Sequence, residues 1–128
     1  MIAALNHTIV HAKDKHASAA FLAHVLGIEV APAWGPFVPV QLGNGVTLDY
    51  LDSREVHQQH YAFLVDESDF DEIFARIRAA NAPYYADPQR SSPRQINHHF
   101  GGRGVYFDDP NGHLMEVITQ PYGVLPGS

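Results

Sequence analysis

Apolar and polar positions along the chain switch between two periods, and the order of the switches repeats. "LNHTIV", Leu5 to Val10, has strand composition, and Asp14 to Leu26 then gathers Phe21, Leu22, Val25 and Leu26 on one helical stripe. Gly27 ends that helix. Three strand candidates follow: "IEVAP" from Ile28, "FVPVQL" from Phe37, and "VTLDYL" from Val46, the last introduced by the Asn44-Gly45 turn pair. The pattern then restarts. "HYAFLV", His60 to Val65, opens a strand, and Ser68 with Asp71 resembles a capping box ahead of a helix. Phe70, Ile73, Phe74 and Ile77 form the buried stripe of that helix, with Asn81 near its end. "PYYAD", "GVYFDD" and "LMEVITQ" complete the second round. The prediction is one α+β domain made of two βαβββ modules, the first over about 1–56 and the second over about 57–122.

The repeat gives meaning to a carboxylate that otherwise has none. In "DPNGHLME", Asp109 to Glu116, turn chemistry runs into a strand in which Glu116 has apolar neighbours on both sides. Asn111-Gly112 precedes Glu116 at the same distance as Asn44-Gly45 precedes Asp49, so the two acids occupy equivalent positions on the last strand of each module. The opening strands each carry a histidine near their start, His7 and His60. Four potential metal ligands therefore fall on module-equivalent strand positions, a placement that chance would seldom produce.

Composition narrows the chemistry further. Nine histidines and no cysteine leave imidazole and carboxylate as the ligand types available. Eight basic against fourteen acidic residues, a formal charge of −6, disfavour a phosphate-binding surface, so no nucleic-acid partner is expected. The absence of a long apolar run, and of a basic then apolar leader, predicts no membrane partner and a cytoplasmic location.

On "LNHTIV", "HYAFLV" and "GGRGVYFDDPNGHLMEV" the chain resembles the vicinal-oxygen-chelate superfamily, which includes glyoxalase I, extradiol dioxygenases, fosfomycin-resistance thiol transferases and bleomycin-binding proteins. The resemblance covers nearly the whole chain. It implies the glyoxalase/dioxygenase fold, in which paired modules curl around a divalent metal, with His7, His60 and Glu116 as ligands. Fe(II) or Mn(II) suits such a set, with Zn(II) or Ni(II) as alternatives, and the implied substrate is a small molecule presenting two adjacent oxygens. Members of this length resemble homodimers in which His7 of one chain meets His60 and Glu116 of the other.

Four activities follow from the resemblance, in order. Asn97-His98-His99, Val105-Tyr106, Asp109-Pro110, Gly112 and Glu116 look like the extradiol dioxygenase signature, which assigns His99 and Tyr106 to hydrogen-bonding a catecholate oxygen and makes the leading function an oxidoreductase. The family's enzymes are about twice this length, and their general-base histidine has no clear counterpart here. A glyoxalase-type lyase or isomerase is the rival. It rests on Asp49, in the place where glyoxalase I has a proton-shuttling glutamate, and Asp49 is one methylene shorter. A fosfomycin-type thiol transferase shares the ligand triad, with Arg94 and Arg103 as the nearby cations for a phosphonate. A metal-free drug-binding protein comes last, because it has no use for the histidine pattern.

The remaining candidates read as structural. His16 and His24 lie off the apolar stripe of the first helix, His11 shares the face of His7 but sits near the strand end, and His113 has parity opposite to Glu116 and points away from it. Trp34, Phe37, Gln41 and Tyr50 are placed near the pocket or the core. The stretch from His60 to Glu116 exceeds that from His7 to Asp49 by 14 residues, and the long polar segment that accommodates this excess, "DPQRSSPRQINHHFGG", is predicted to be a lid carrying His98 and His99.

Overall fold

β1 (His7–Ala12) alternates cleanly, with Val10 and Ala12 buried and His7, Ile9 and His11 exposed. Asp14 caps the next element by accepting from the N–H groups of His16 and Ala17, and α1 (Lys15–Leu26) follows. Gly27 closes it in the left-handed region at φ 76°, where its N–H bonds back to the carbonyls of the last turn. The buried side of α1 is Ser18, Ala19, Leu22, Ala23 and Val25, with Phe21 and Leu26 only half-buried. β2 (Val38–Gln41) pairs antiparallel with β3 (Thr47–Asp52), which pairs parallel with β1 in the order β1-β3-β2. Register sorts the residues. Val10, Tyr50 and Val38 form one buried row, whereas Ile9, Asp49 and Pro39 form the row on the other face.

The second round is a four-stranded sheet in the order β4-β7-β6-β5: β4 (His60–Leu64), α2 (Phe70–Ala79), β5 (Tyr84–Tyr85), β6 (Gly104–Asp108) and β7 (Leu114–Ile118). Phe70, Ile73 and Ile77 are buried along α2. Phe63, Val117 and Val105 lie on the core face, whereas Ala62, Glu116 and Tyr106 share the other. The computed structural model describes residues 2–123, and the chain divides between His57 and Gln58 into two compact units.

The α+β fold is as predicted, and three local expectations change. The strand from Ile28 is reduced to a single bridge between Val30 and Val40, because Pro32 and Pro36 have no N–H to continue a ladder. The first sheet is therefore three-stranded. The capping box at Ser68 is absent: a short 3-10 turn, Glu67–Asp69, leads into α2, and Asp71 instead accepts from Arg103 at 2.6 Å. Arg103 also binds Glu67 and lies 4.5 Å above the Phe70 ring, so it ties the start of β6 to α2. It is committed there and is not free for an anionic substrate.

Candidate metal centre

The two modules place their acids identically. The residue two beyond the histidine pairs with the acid in both, Ile9 with Asp49 and Ala62 with Glu116. The backbone agrees: Thr47 N–H donates to the Asn6 carbonyl at 3.0 Å, and Leu114 N–H donates to the Gln59 carbonyl at 2.9 Å. Each histidine therefore sits one row from its acid on one face of a parallel strand pair.

In the second unit the pair is in contact. Nδ1 of His60 is 3.0 Å from the Leu114 carbonyl oxygen, which can only accept, so Nδ1 donates there and Nε2 is the nitrogen turned toward Glu116. Nε2 lies 3.0 Å from Oε1 of Glu116. Two lone-pair groups at that distance need a cation, either a second ring proton or a metal ion. A spacing of 3.0 Å would let both groups hold one ion, as it would let a ring N–H donate to the carboxylate. Glu116 is only 3 % exposed, and its Oε2 has no hydrogen-bond partner. A buried carboxylate oxygen left in that state costs free energy unless something binds it. The donor set fits a divalent ion.

Tyr106 completes this face. It pairs with Glu116 across β6 and β7, and its ring stacks on His60 at 5.9 Å and 28°. Burial, then a contact with the Tyr122 hydroxyl, then the nearby Glu116 charge raise its phenol well above the ordinary value, so it remains a donor throughout the neutral range. The Tyr106 phenol also interacts with the Glu116 carboxylate, yet Oε2 has no hydrogen bond of good geometry.

The first unit offers the counterpart. His7 Nδ1 lies 2.7 Å from Asn6 Oδ1, so Nε2 is the ring nitrogen left for another partner. Asp49 is 4 % exposed, and its Oδ1 has no partner. Among the described residues neither unit by itself gathers three His, Asp or Glu side chains suited to one ion. His60, Glu116 and Tyr106 are brought together, His7 and Asp49 lie in the other unit, and His99 stands exposed with its backbone N–H 3.3 Å from Asn97 Oδ1. His11, His16 and His24 are exposed, and Trp34 is 61 % exposed against Phe37.

Sequence reasoning missed the polar anchor at the other end of this face. Asp108 accepts from Arg90 at 2.8 and 2.9 Å and from the Tyr85 hydroxyl at 2.8 Å. Arg90 belongs to the long loop, and its left-handed φ of 60° gives no sequence signal. Hydrogen bonds fasten the loop at several points before His98. Asp87 accepts from the N–H groups of Ser91 and Ser92, and Asn97, buried, exchanges both backbone bonds with Gly104 and donates Nδ2 to the Ala86 carbonyl. A Cβ on Gly104 would lie 2.8 Å from Asn97 Oδ1, which is pinned on both sides. Gly104→Ala is therefore expected to cost about 1–3 kcal/mol and to make the loop the first point of proteolysis. An unchanged melting temperature and cleavage pattern would contradict this account of the anchor.

A family model described as Glyoxalase/Bleomycin resistance protein/Dioxygenase superfamily matches residues 4–117. The solved structure of the oxidase ChaP-H2 is 62 % identical and superposes with a TM-score of 0.93 over 96 % of this chain and 98 % of that one. Glutathione transferase FosA of Serratia marcescens is 27 % identical over 124 residues, 91 % of this chain and 81 % of its own length. The fosfomycin resistance protein FosX of Mesorhizobium loti, at 22 % identity and a TM-score of 0.71 over 95 % of this chain and 96 % of that one, shares the fold. Among the described residues no helix is long and apolar enough to cross a membrane.

Proposed function

Because the chain belongs to the glyoxalase/bleomycin resistance protein/dioxygenase superfamily, we propose that it is a divalent-metal-dependent oxidoreductase of the dioxygenase kind, with His7, His60 and Glu116 as ligands and a small molecule bearing two adjacent oxygens as substrate. The observation that carries this reading is the His60–Glu116 pair, two facing lone-pair donors with a buried carboxylate oxygen to spare. The similarity to a solved oxidase at 62 % identity supports the oxidative branch over the thiol transferases. So does Arg103, which is already paired with Glu67 and Asp71.

When bound, an Fe(II) or Mn(II) ion supplies Lewis acidity and open positions for a chelating pair of oxygens. The chain's own groups do the rest. The Leu114 carbonyl fixes which ring nitrogen of His60 is bare, and burial keeps Glu116 in a low-dielectric setting where its charge acts strongly. Tyr106, protonated and one strand away, donates toward a substrate oxygen as negative charge develops on it.

Oxygen uptake on a panel of catechols, with protein of measured metal content, tests the reading. Tyr106→Phe should keep the ion and lower turnover by roughly 10²- to 10³-fold, the usual cost of one lost transition-state donor. His99→Ala should do the same if that exposed histidine closes over the substrate. A glyoxalase-type isomerase or lyase is the second reading, favoured by one observation: Oδ1 of Asp49 is buried and unpartnered, as a base or fourth ligand would be. Metal-loaded protein that isomerises a methylglyoxal hemithioacetal and consumes no oxygen with any catechol would establish that reading and overturn the first.

A further inference from the structure

His113, in the turn before β7, has no part in the chemistry above. It is 1 % exposed, and its ring stands edge-on to Tyr61 at 5.9 Å on the face opposite Glu116. Its Nδ1 accepts from the backbone N–H of Gln59 at 3.0 Å. Gln59 immediately precedes His60. Leu114 N–H in turn donates to the Gln59 carbonyl, and His60 Nδ1 donates to the Leu114 carbonyl. The dipeptide Gln59-His60 is thus bonded three times to the dipeptide His113-Leu114.

The first module shows which of these bonds the fold itself requires. The backbone bond recurs there, from Thr47 to Asn6, but the position equivalent to His113 is Val46, which has no acceptor. The same Asn-Gly turn and parallel pairing form without it. His113 is therefore an addition made only in the module where the histidine and acid are in contact. The addition falls where it is needed, because His60 is the first residue of an edge strand, its side chain is 47 % exposed, and strand ends fray. His113 is itself held, since Asp109 Oδ1 accepts from its backbone N–H at 2.9 Å and from that of Asn111 at 2.8 Å.

We propose that His113 is a positioning residue: through Gln59 it fixes the start of β4 so that the His60 ring keeps Nδ1 on the Leu114 carbonyl and presents Nε2 beside Glu116. The proposal rests on the metal reading only for the purpose of that geometry. Asparagine and glutamine separate acceptor from bulk, because Asn sets its oxygen near the place of Nδ1, whereas Gln sets its amide near that of Nε2.

The test compares wild type, His113→Asn, His113→Gln and His113→Phe in three measurements: thermal unfolding, nitrogen chemical shifts of the His60 ring in metal-free protein, and calorimetric titration with Mn(II) alone. His113→Asn is expected to stay near wild type in all three. His113→Gln and His113→Phe are expected to lose the shift of a His60 Nδ1–H held on the Leu114 carbonyl and to weaken Mn(II) binding by about 10- to 100-fold, the usual cost of removing a partner that orients a ligand. If His113→Phe fails to fold, the Asn and Gln variants decide. A folded His113→Gln with wild-type His60 shifts and Mn(II) affinity overturns the proposal, as does equal loss in Asn and Gln variants, which would make ring shape rather than the acceptor the requirement. Wild-type protein that takes up no Mn(II) would defeat the metal reading, while the His60 shifts would still decide the positioning role.

Discussion

Glu116→Ala is expected to give a folded chain that holds almost no divalent ion and has no measurable turnover. Among the described residues Glu116 is the carboxylate in contact with a histidine ring nitrogen, and no group of three His, Asp or Glu side chains offers a replacement. Its loss leaves His60 Nε2 facing water alone. Stability should move the other way. A carboxylate oxygen buried without a partner costs on the order of 1–3 kcal/mol, so Glu116→Gln, which keeps the volume and removes the charge, should melt at or above the temperature of metal-free wild type. Metal analysis after purification without added ions, beside thermal melts of metal-free protein, reads both effects. Full metal content in Glu116→Ala would sink the ligand assignment. Asp49→Ala serves as the contrast: unchanged ion content indicates three ligands, and loss of ion indicates four.

That prediction was legible in the sequence because it depends on period and spacing. A strand's alternation places residues two apart on one face, and the shared Asn-Gly to acid distance fixes the register of the last strand against the first. The glycine stop at Gly27 and the buried stripe of α2 were legible for the same reason, since each expresses a backbone preference of a few consecutive residues.

What was not legible depends on partners distant in sequence. Asp71 looks like half of a capping box until Arg103, 32 positions later, is seen to take it. Arg90 looks like a loop cation, yet a left-handed backbone at that residue swings it onto Asp108. Tyr122 lies beyond the last strand, where no periodicity reaches it, and still meets Phe100 at 5.2 Å and influences Tyr106. Parity turns His113 away from Glu116, and its ring does lie against Tyr61 on the opposite face. Its backbone-mediated hold on His60 runs through Gln59 N–H, and side-chain parity carries no information about a main-chain donor.

Mixing two dead variants is expected to restore activity. The proposed ligand set takes His7 from the first unit and His60 with Glu116 from the second. In the homodimer expected from the sequence these would come from different chains. His7, Ile9 and His11 on β1 of the first unit are exposed, as are His60, Ala62 and Leu64 on β4 of the second, and each is a strand face that pairing can cover. When His7→Ala and Glu116→Ala chains are unfolded together in equal amounts and refolded, half the dimers should be hybrids. In each hybrid one site combines both lesions and the other has neither, so about a quarter of the wild-type sites should return. His60→Ala with Glu116→Ala is the control and should recover nothing, because both lesions lie in the second unit and no exchange of chains separates them from every site. Recovery in the first mixture alone establishes a shared site. Recovery in neither, with each variant folded, shows instead that every site is closed by a single chain.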